Sequence, residues 1–323
     1  MSRAIALAVD GGNSKTDLAL VDGEGRLLGF ARGPQSSPHH IGEDGCLRVL
    51  SGLLDEARAH AGLDGGRAAV AMLCMAGVDF PREEERLAGL VSGHAWATAT
   101  TVVNDTFAVL RAGTEQGYGV AVVCGAGINC VGVAPDGRHV RFPALGAITG
   151  DWGGGFDVGL AAVSKAARSF DGRGAKTTLE QAVPAHFGLE TPYELAEAIH
   201  GDEIPERRVL ELARVVFAEA EHDEVAAAIV DQLAAEVVAL AGAAITRLGL
   251  DGSEVEVLLG GGLLQGENSR VVERIRAGLP GVSVRVTGAP PIVGAALLAL
   301  DELGADEEAR KRVRAELSEV VDG

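Results

Sequence analysis

Aromatic residues are scarce in this 323-residue chain, at 4% of the total, with eight Phe, two Tyr and two Trp. Its core must therefore be built mainly from Ala, Val, Leu and Ile. Basic residues are also short, 28 Lys and Arg against 46 Asp and Glu, for a formal charge of −18. So acidic a surface argues against nucleic-acid and anionic-membrane partners, which need basic patches. An anionic small molecule would need local backbone N–H groups, a few cations or a metal ion. The four cysteines, Cys46, Cys74, Cys124 and Cys130, include no C-x-x-C pair. That spacing predicts reduced thiols in a cytoplasmic protein and no disulfide framework. The N-terminal stretch MSRAIALAVD lacks the apolar core of a signal peptide. No apolar run approaches the ~20 residues of a membrane span. There is no Ser/Pro-rich linker, no G-x-x-x-x-G-K-[ST] phosphate loop, and no glycine fingerprint opening a helix.

What the chain does have is an internal echo. AIALAVDGGNSKTDLALVDGEGRLLGF is followed later by YGVAVVCGAGINCVGVAPDGRHVRF. Gly11 aligns with Gly125, Asp22 with Asp136 and Gly23 with Gly137, without a gap. Each copy reads as strand, Gly-rich turn, strand, Asp-Gly turn, strand. Two such units predict two related α/β lobes, each presenting a glycine loop to a shared cleft suited to a polyphosphate.

The rest of the pattern completes the lobes. Residues 4–33 read as a three-stranded meander, followed by a helix over Cys46–Ala61, with Leu47, Leu50, Leu53 and Leu54 on one face. A buried strand over Ala68–Met75, a helix over Pro81–Ser92, a strand over Thr101–Asn104 and a helix from Thr106 come next. The second meander ends near Phe142. A mostly helical stretch runs over Gly159–Leu248, broken at 171–174, at Pro184, at Gly188 and at Gly201–Pro205. Strands follow over Val255–Leu259 and Val282–Val286. These readings divide the chain into a lobe over 1–114 and a lobe with a helical insertion over 115–301. A charged helix over 302–323 would pack back on the first lobe.

Five segments could carry chemistry. In Asp10–Thr16, Gly11 and Gly12 permit positive φ and close approach to a ligand. The turn through Asn13 and Ser14 can form an anion nest, with Ser14 and Thr16 as hydroxyl donors and Lys15 as a cation. Asp10, at a strand end, could hold hydrated Mg²⁺. A hairpin turn with glycine for geometry alone is the competing reading. Asp105 follows Asn104 where a buried strand opens into a helix. It could cap that helix, or accept a proton from an attacking hydroxyl, and the two roles are compatible. Gly125, Ala126 and Gly127 form the second loop, with Asn129 within reach of a substrate. Gly146–Gly155 places Asp151 beside Trp152, a carboxylate and a ring suited to a sugar, or else a connecting loop. Gly260, Gly261 and Gly262 end a buried strand and would let a group such as an adenine ring approach. His39 and His40 lack the partners of a metal site and read as loop residues near a substrate mouth.

Together, DGGNSKTD, VVNDT, CGAGINC, GDWGGGFDVG, DGRGAKTTL, LLGGGLLQG and PPIVGAALLAL resemble the N-acetylglucosamine kinases of the BadF/BadG ATPase family, within the actin/hexokinase-like superfamily. The resemblance covers nearly the whole chain. It implies two ribonuclease-H-like lobes around a central nucleotide and sugar cleft, ATP with Mg²⁺, and a homodimer. It also implies that Asp105 is the general base, that Gly11–Thr16 and Gly125–Gly127 hold phosphates with Asp10 beside the metal, and that Gly260–Gly262 line the adenosine pocket. Asn104, Asp105, Asn129, Gly146 and Asp151 would face the sugar. Ser37 stands where many bacterial members have Asn in G-P-x-N-P, and Trp152-Gly153-Gly154 stands where animal-like members read E-G-S. Both departures fall where the sugar is chosen. They leave glucosamine and N-acetylmuramic acid open beside N-acetylglucosamine. A radical-dehydratase activator would need an N-D-K-C-A-A-G-T-G-like motif, which is absent. A non-catalytic ATP-dependent sensor is a further alternative, although no DNA-binding segment is apparent.

Overall fold

The computed structural model describes residues 4–250, 255–265 and 269–322. The chain divides into two compact units. One takes the chain up to Gly119, the turn Pro135–Gly137 and everything from Gly288 onward, and the other takes Val120–Ala134 and Arg138–Thr287.

In the first unit β1 (Ile5–Gly11), β2 (Lys15–Asp22) and β3 (Leu27–Pro34) form an antiparallel meander. β4 (Ala68–Met75) and β5 (Ala97–Asn104) join it in parallel, giving the order β3-β2-β1-β4-β5. The helices α1 (Pro38–Ala61), α2 (Pro81–Gly93) and α3 (Thr106–Gly113) connect and cover the strands. In the second unit the strands are β6 (Gly119–Cys124), β7 (Ile128–Val133), β8 (His139–Arg141), β9 (Glu256–Gly260) and β10 (Ser283–Val286). Their order, β10-β9-β6-β7-β8, is that of the first sheet read from the other edge. The sequence echo is thus a repeat of topology. The helices of this unit are α4 (Gly154–Phe170), α5 (Leu179–His186), α6 (Pro192–His200), α7 (Ala213–Glu219), α8 (Glu224–Leu248) and α9 (Ser269–Gly278). The chain ends with α10 (Pro291–Glu302) and α11 (Glu307–Asp322) in the first unit.

The first sheet is covered on both faces, so its central strands β1 and β4 are apolar along most of their length. Leu7, Val9, Leu18 and Leu20 pack towards α1 and α2. Ala6, Ala8, Ala19 and Val21 pack towards α3, α10 and α11. Small residues on that second face allow close helices. At Gly294 of α10 a Cβ would lie 1.9 Å from the carbonyl oxygen of Ala108 on α3. The second unit has one core, drawn from β6, β7 and β9 and from α4 to α9.

Four expectations change. The segment 288–301, assigned from sequence to the second lobe, belongs to the first unit, because α10 buries its apolar run against β1, β4 and α3. His39 and His40 are helical, since α1 begins at Pro38 and kinks at Gly42, where φ is +70°. Pro184 lies inside α5 instead of breaking it. α8, by length and composition alone, is apolar enough to cross a membrane, contrary to the expectation of no such run. Its Ile229, Val230, Leu233 and Val237 are buried in the core of the second unit.

Candidate active site

In the first unit the ends of three strands are in register. Gly11 on β1 pairs with Met75 on β4, and Met75 pairs with Asn104 on β5. Asp10 and Asp105 flank this line. Asn104 is buried and its amide is engaged inside the unit. Its Nδ2 donates to Val78 O (3.1 Å) and Asp79 Oδ1 (3.0 Å), and its Oδ1 accepts from Thr106 N (3.1 Å) and Thr106 Oγ1 (2.6 Å). Asn104 therefore supplies the cap for α3, the role considered for Asp105, whose side chain makes no capping hydrogen bond. The same engagement turns Asn104 from a sugar contact into a positioning residue.

Asp10 is nine-tenths buried, and burial pushes its carboxyl up to about 8, with the charges of Asp105 and Asp17 adding to the shift. Lys15 and Arg32 oppose it. Asp17, fully buried, accepts from Arg32 Nε (2.6 Å) and Nη2 (3.0 Å) and from Lys15 Nζ (3.1 Å). Lys15 is thus committed to a carboxylate, and Arg32 is a second cation that the motif reading missed. Only the β2–β3 register brings Asp17 and Arg32 together.

The loop itself also departs from expectation. Neither Gly11 nor Gly12 has positive φ. Glycine is required there for space: a Cβ on Gly11 would lie 2.4 Å from Met75 Sδ, and one on Gly12 would lie 2.8 Å from Lys15 O. Gly12 N donates to Lys15 O (2.9 Å), and the tip residues Asn13 and Ser14 are exposed. Thr16 is buried and donates to Pro34 O (2.7 Å), with Ser36 Oγ at 2.8 Å, so it fastens β2 to the end of β3 and does not face a ligand. Ser37 is fully buried, its hydroxyl without a partner, and offers no surface to a sugar.

Among the described residues no cluster of three or more His, Cys, Asp or Glu could hold a metal. The site nonetheless fits Mg²⁺, whose usual ligands are one or two carboxylates, phosphate oxygens and water. Asp10 is a hard oxygen donor in a buried, negatively charged setting that a cation would relieve.

In the second unit three glycine segments meet at Cys124–Gly127. The loop carbonyls of Gly125 and Ala126 accept from Gly155 N (2.8 Å) and Phe156 N (3.0 Å), the first N–H groups of α4. Gly154 has φ +80°, and a Cβ there would lie 2.5 Å from Gly127 Cα. Gly261 has φ +87°, and its Cβ would lie 2.2 Å from Cys124 O, which also accepts from Leu263 N (3.2 Å). Gly260 is buried, Gly261 half-buried and Gly262 exposed. Around Gly125, Gly127 and Gly262, by contrast, a Cβ would meet nothing within 4 Å. Gly125, Ala126 and Gly127 thus form an exposed rim on a rigid base.

In the loop that leads into α4 the Gly146 carbonyl gathers the N–H groups of Thr149 (3.1 Å), Gly150 (2.9 Å) and Asp151 (3.0 Å). The Thr149 hydroxyl donates to Asp151 Oδ2. Trp152 is half-buried and packs against the core of the unit. Asn129 Oδ1 accepts from Cys130 N (2.8 Å). Glu236 on α8, unsuspected from sequence, feels the charge of Asp151; burial and that charge hold its carboxyl above the usual range. All four cysteines are free and buried; burial pushes Cys124 up to about 12.

Comparison with known proteins fits this architecture. The chain is 28% identical to an N-acetylmuramic acid/N-acetylglucosamine kinase of Clostridium acetobutylicum over 81% of its own length and 86% of that protein. It is 27% identical to an N-acetyl-D-glucosamine kinase of Dictyostelium discoideum, over 93% of this chain and 99% of that one. Its fold matches a solved Chromobacterium violaceum protein provisionally described as an N-acetylglucosamine kinase (TM-score 0.71, 24% identity, 93% and 100% coverage). It also matches a ROK family glucokinase of Streptomyces griseus solved with glucose and AMPPNP (TM-score 0.54, 18% identity, 93% and 99% coverage). Both units thus carry the α/β fold of actin/hexokinase-like ATPases. The model of the BadF/BadG/BcrA/BcrD ATPase family matches residues 7–299, and the chain belongs to that family.

Proposed function

We propose that this protein is an ATP-dependent amino-sugar kinase that phosphorylates N-acetylglucosamine at its 6-hydroxyl. The observation that carries the reading is Asp105. It sits at the end of β5, beside the buried Asp10, with the helix-capping work done by Asn104. A carboxylate so placed can accept the proton of a sugar hydroxyl as its oxygen attacks the γ-phosphorus.

The remaining roles follow from the same geometry. The exposed rim Gly125–Gly127, open at Gly125 and Gly127, and the exposed turn tip Asn13–Lys15 would each approach phosphate oxygens. Gly262, where a Cβ would meet nothing within 4 Å, would leave room for the adenosine, with Gly261 packed against Cys124 beside it. Asp151, Asn129 and the Gly146 loop would hold sugar hydroxyls. Asn104, Ser37 and Thr16 act one layer behind, fixing the strand ends. Mg²⁺, held through Asp10 and the phosphates, would supply charge neutralisation for the transferred group. Phosphoryl transfer asks mainly for such positioning and neutralisation.

N-acetylmuramic acid is the second substrate to test, because the Clostridium relative is named for both sugars. A radical-dehydratase activator needs an accessible thiolate for its cluster, and the buried cysteines speak against that role. The free, buried thiols support a reducing, cytoplasmic setting. The family resemblance is the support for a homodimer. The deciding experiment is an ADP-release assay with Mg-ATP across N-acetylglucosamine, N-acetylmuramic acid, glucosamine and glucose, with the products identified by mass. Turnover on an N-acetylated sugar supports the reading, and no phosphorylated sugar from any of them refutes it.

A further inference from the structure

At the opposite end of the first sheet from Asp10 lies a cavity of about 200 Å³. Its walls are Leu7, Leu20, Leu54, Leu63 and Trp96, with Ala68 at the floor. Leu7 lies four residues before Gly11, roughly 13 Å back along β1 at strand rise. The cavity is therefore separate from the residues assigned to phosphoryl transfer.

Three features distinguish it from a packing fault. Its volume exceeds the ~150 Å³ at which an apolar cavity takes up a benzene-sized molecule. Its lip is built from Gly65 and Gly66, both with positive φ (+117° and +97°), and a Cβ on either would meet nothing within 4 Å. Arg58 and Arg67 stand at that lip on a protein of net charge −18. Arg58 is anchored, donating to Gly66 O (2.8 Å), with Asp55 only at 3.9 Å. Arg67 is exposed and makes no ion pair among the described residues. An open cleft of this size, with leucines and Trp96 in its walls and two guanidiniums among its lining, matches a small molecule with an apolar body and one anionic head.

We propose that this cavity is a binding site for a small amphipathic monoanion of the alkyl-carboxylate class. The alkyl body would lie on Leu7, Leu20 and Trp96, and the carboxylate would meet Arg58 and Arg67. This inference does not depend on the kinase reading.

Trp96 in the wall supplies a direct readout. The chain has only one other tryptophan, Trp152, in the second unit. The two indole N–H resonances of the wild-type protein, assigned with Trp96→Phe, can be followed during titration with hexanoate, hexan-1-ol and hexylammonium. The expected result is a saturable shift of the Trp96 resonance with hexanoate, binding up to about fivefold tighter than hexanol, and no competition from hexylammonium. Replacing both arginines (Arg58→Gln with Arg67→Gln) should remove the preference for hexanoate over hexanol. Ala68→Leu, which fills the floor, should abolish both shifts. The proposal fails if hexanoate gives no saturable shift, or moves only Trp152. It also fails if hexanoate binds no better than hexanol, or if the double arginine variant keeps the preference. The wild-type and arginine arms decide the matter even if Ala68→Leu does not fold.

Discussion

Asn104 Oδ1 accepts both the N–H (3.1 Å) and the hydroxyl (2.6 Å) of Thr106, so the residue before Asp105 closes the start of α3. This division of labour separates two mutational outcomes. Asn104→Ala removes a cap and leaves buried partners unsatisfied, and should cost roughly 2 kcal/mol or more by urea denaturation. Asp105→Ala should lower the urea midpoint clearly less, because that side chain makes no capping hydrogen bond. If Asp105→Ala destabilises as much as Asn104→Ala, the cap is not the work of Asn104.

The glycines of the second unit divide in the same way. At Gly154 a Cβ would strike Gly127 on a backbone with φ +80°, so Gly154→Ala should destabilise by roughly 1–3 kcal/mol. At Gly125 a Cβ enters open space. Gly125→Ala should therefore keep the melting temperature and raise the KM for ATP. Thermal melts and ATP saturation curves on both variants check the pair.

Asp10 makes stability depend on pH. Its folded pKa is raised from 3.8 to about 8, so between about pH 4 and pH 8 the folded state binds more protons than the unfolded state. Stability then falls as pH rises through that window and levels off above it. Asp10→Asn removes the titration. Without nucleotide or divalent cation, the variant should melt higher than wild type, with a gap that grows from pH 5 to pH 8.5 and reaches roughly a few kcal/mol. A constant gap would contradict the burial argument. The same variant should lose kinase activity, because the carboxylate assigned to Mg²⁺ is gone.

Glycine at position 294 reverses a usual preference. In a helix interior Ala is normally better than Gly by about 1 kcal/mol. Here the added Cβ would lie 1.9 Å from Ala108 O. Gly294→Ala should push α10 from α3 and lower stability by roughly 1–3 kcal/mol. A stabilised variant would show that the two helices are not in backbone contact.

Much of this architecture is legible in residue order. β4 is the apolar run Ala68–Met75 with the bounds read from sequence, and the two meanders stand out because each turn carries its own glycine or Asp-Gly signal. What escaped is long-range. α10 lies next to the second unit in sequence yet packs in the first, because its apolar faces match the alanines of β1 and β2. The start of α1 was hidden by Pro38, which reads as a loop although proline suits a first helical turn. Local sequence shows that Gly11 and Gly154 are glycines, but not that one needs space and the other both space and positive φ. Asp17 with Arg32, and Asp151 with Glu236, are pairs made by folding alone.

The central claim is that Asp105 takes the proton from a sugar hydroxyl while other groups hold the nucleotide. Its most direct test measures ATP affinity by calorimetry and N-acetylglucosamine phosphorylation by ³¹P NMR on wild type and Asp105→Ala. The account predicts a sugar 6-phosphate from wild type, a rate roughly 10²- to 10⁴-fold lower in the variant, and unchanged ATP affinity. Wild-type turnover rates in Asp105→Ala, or no sugar phosphate from wild type, would contradict it.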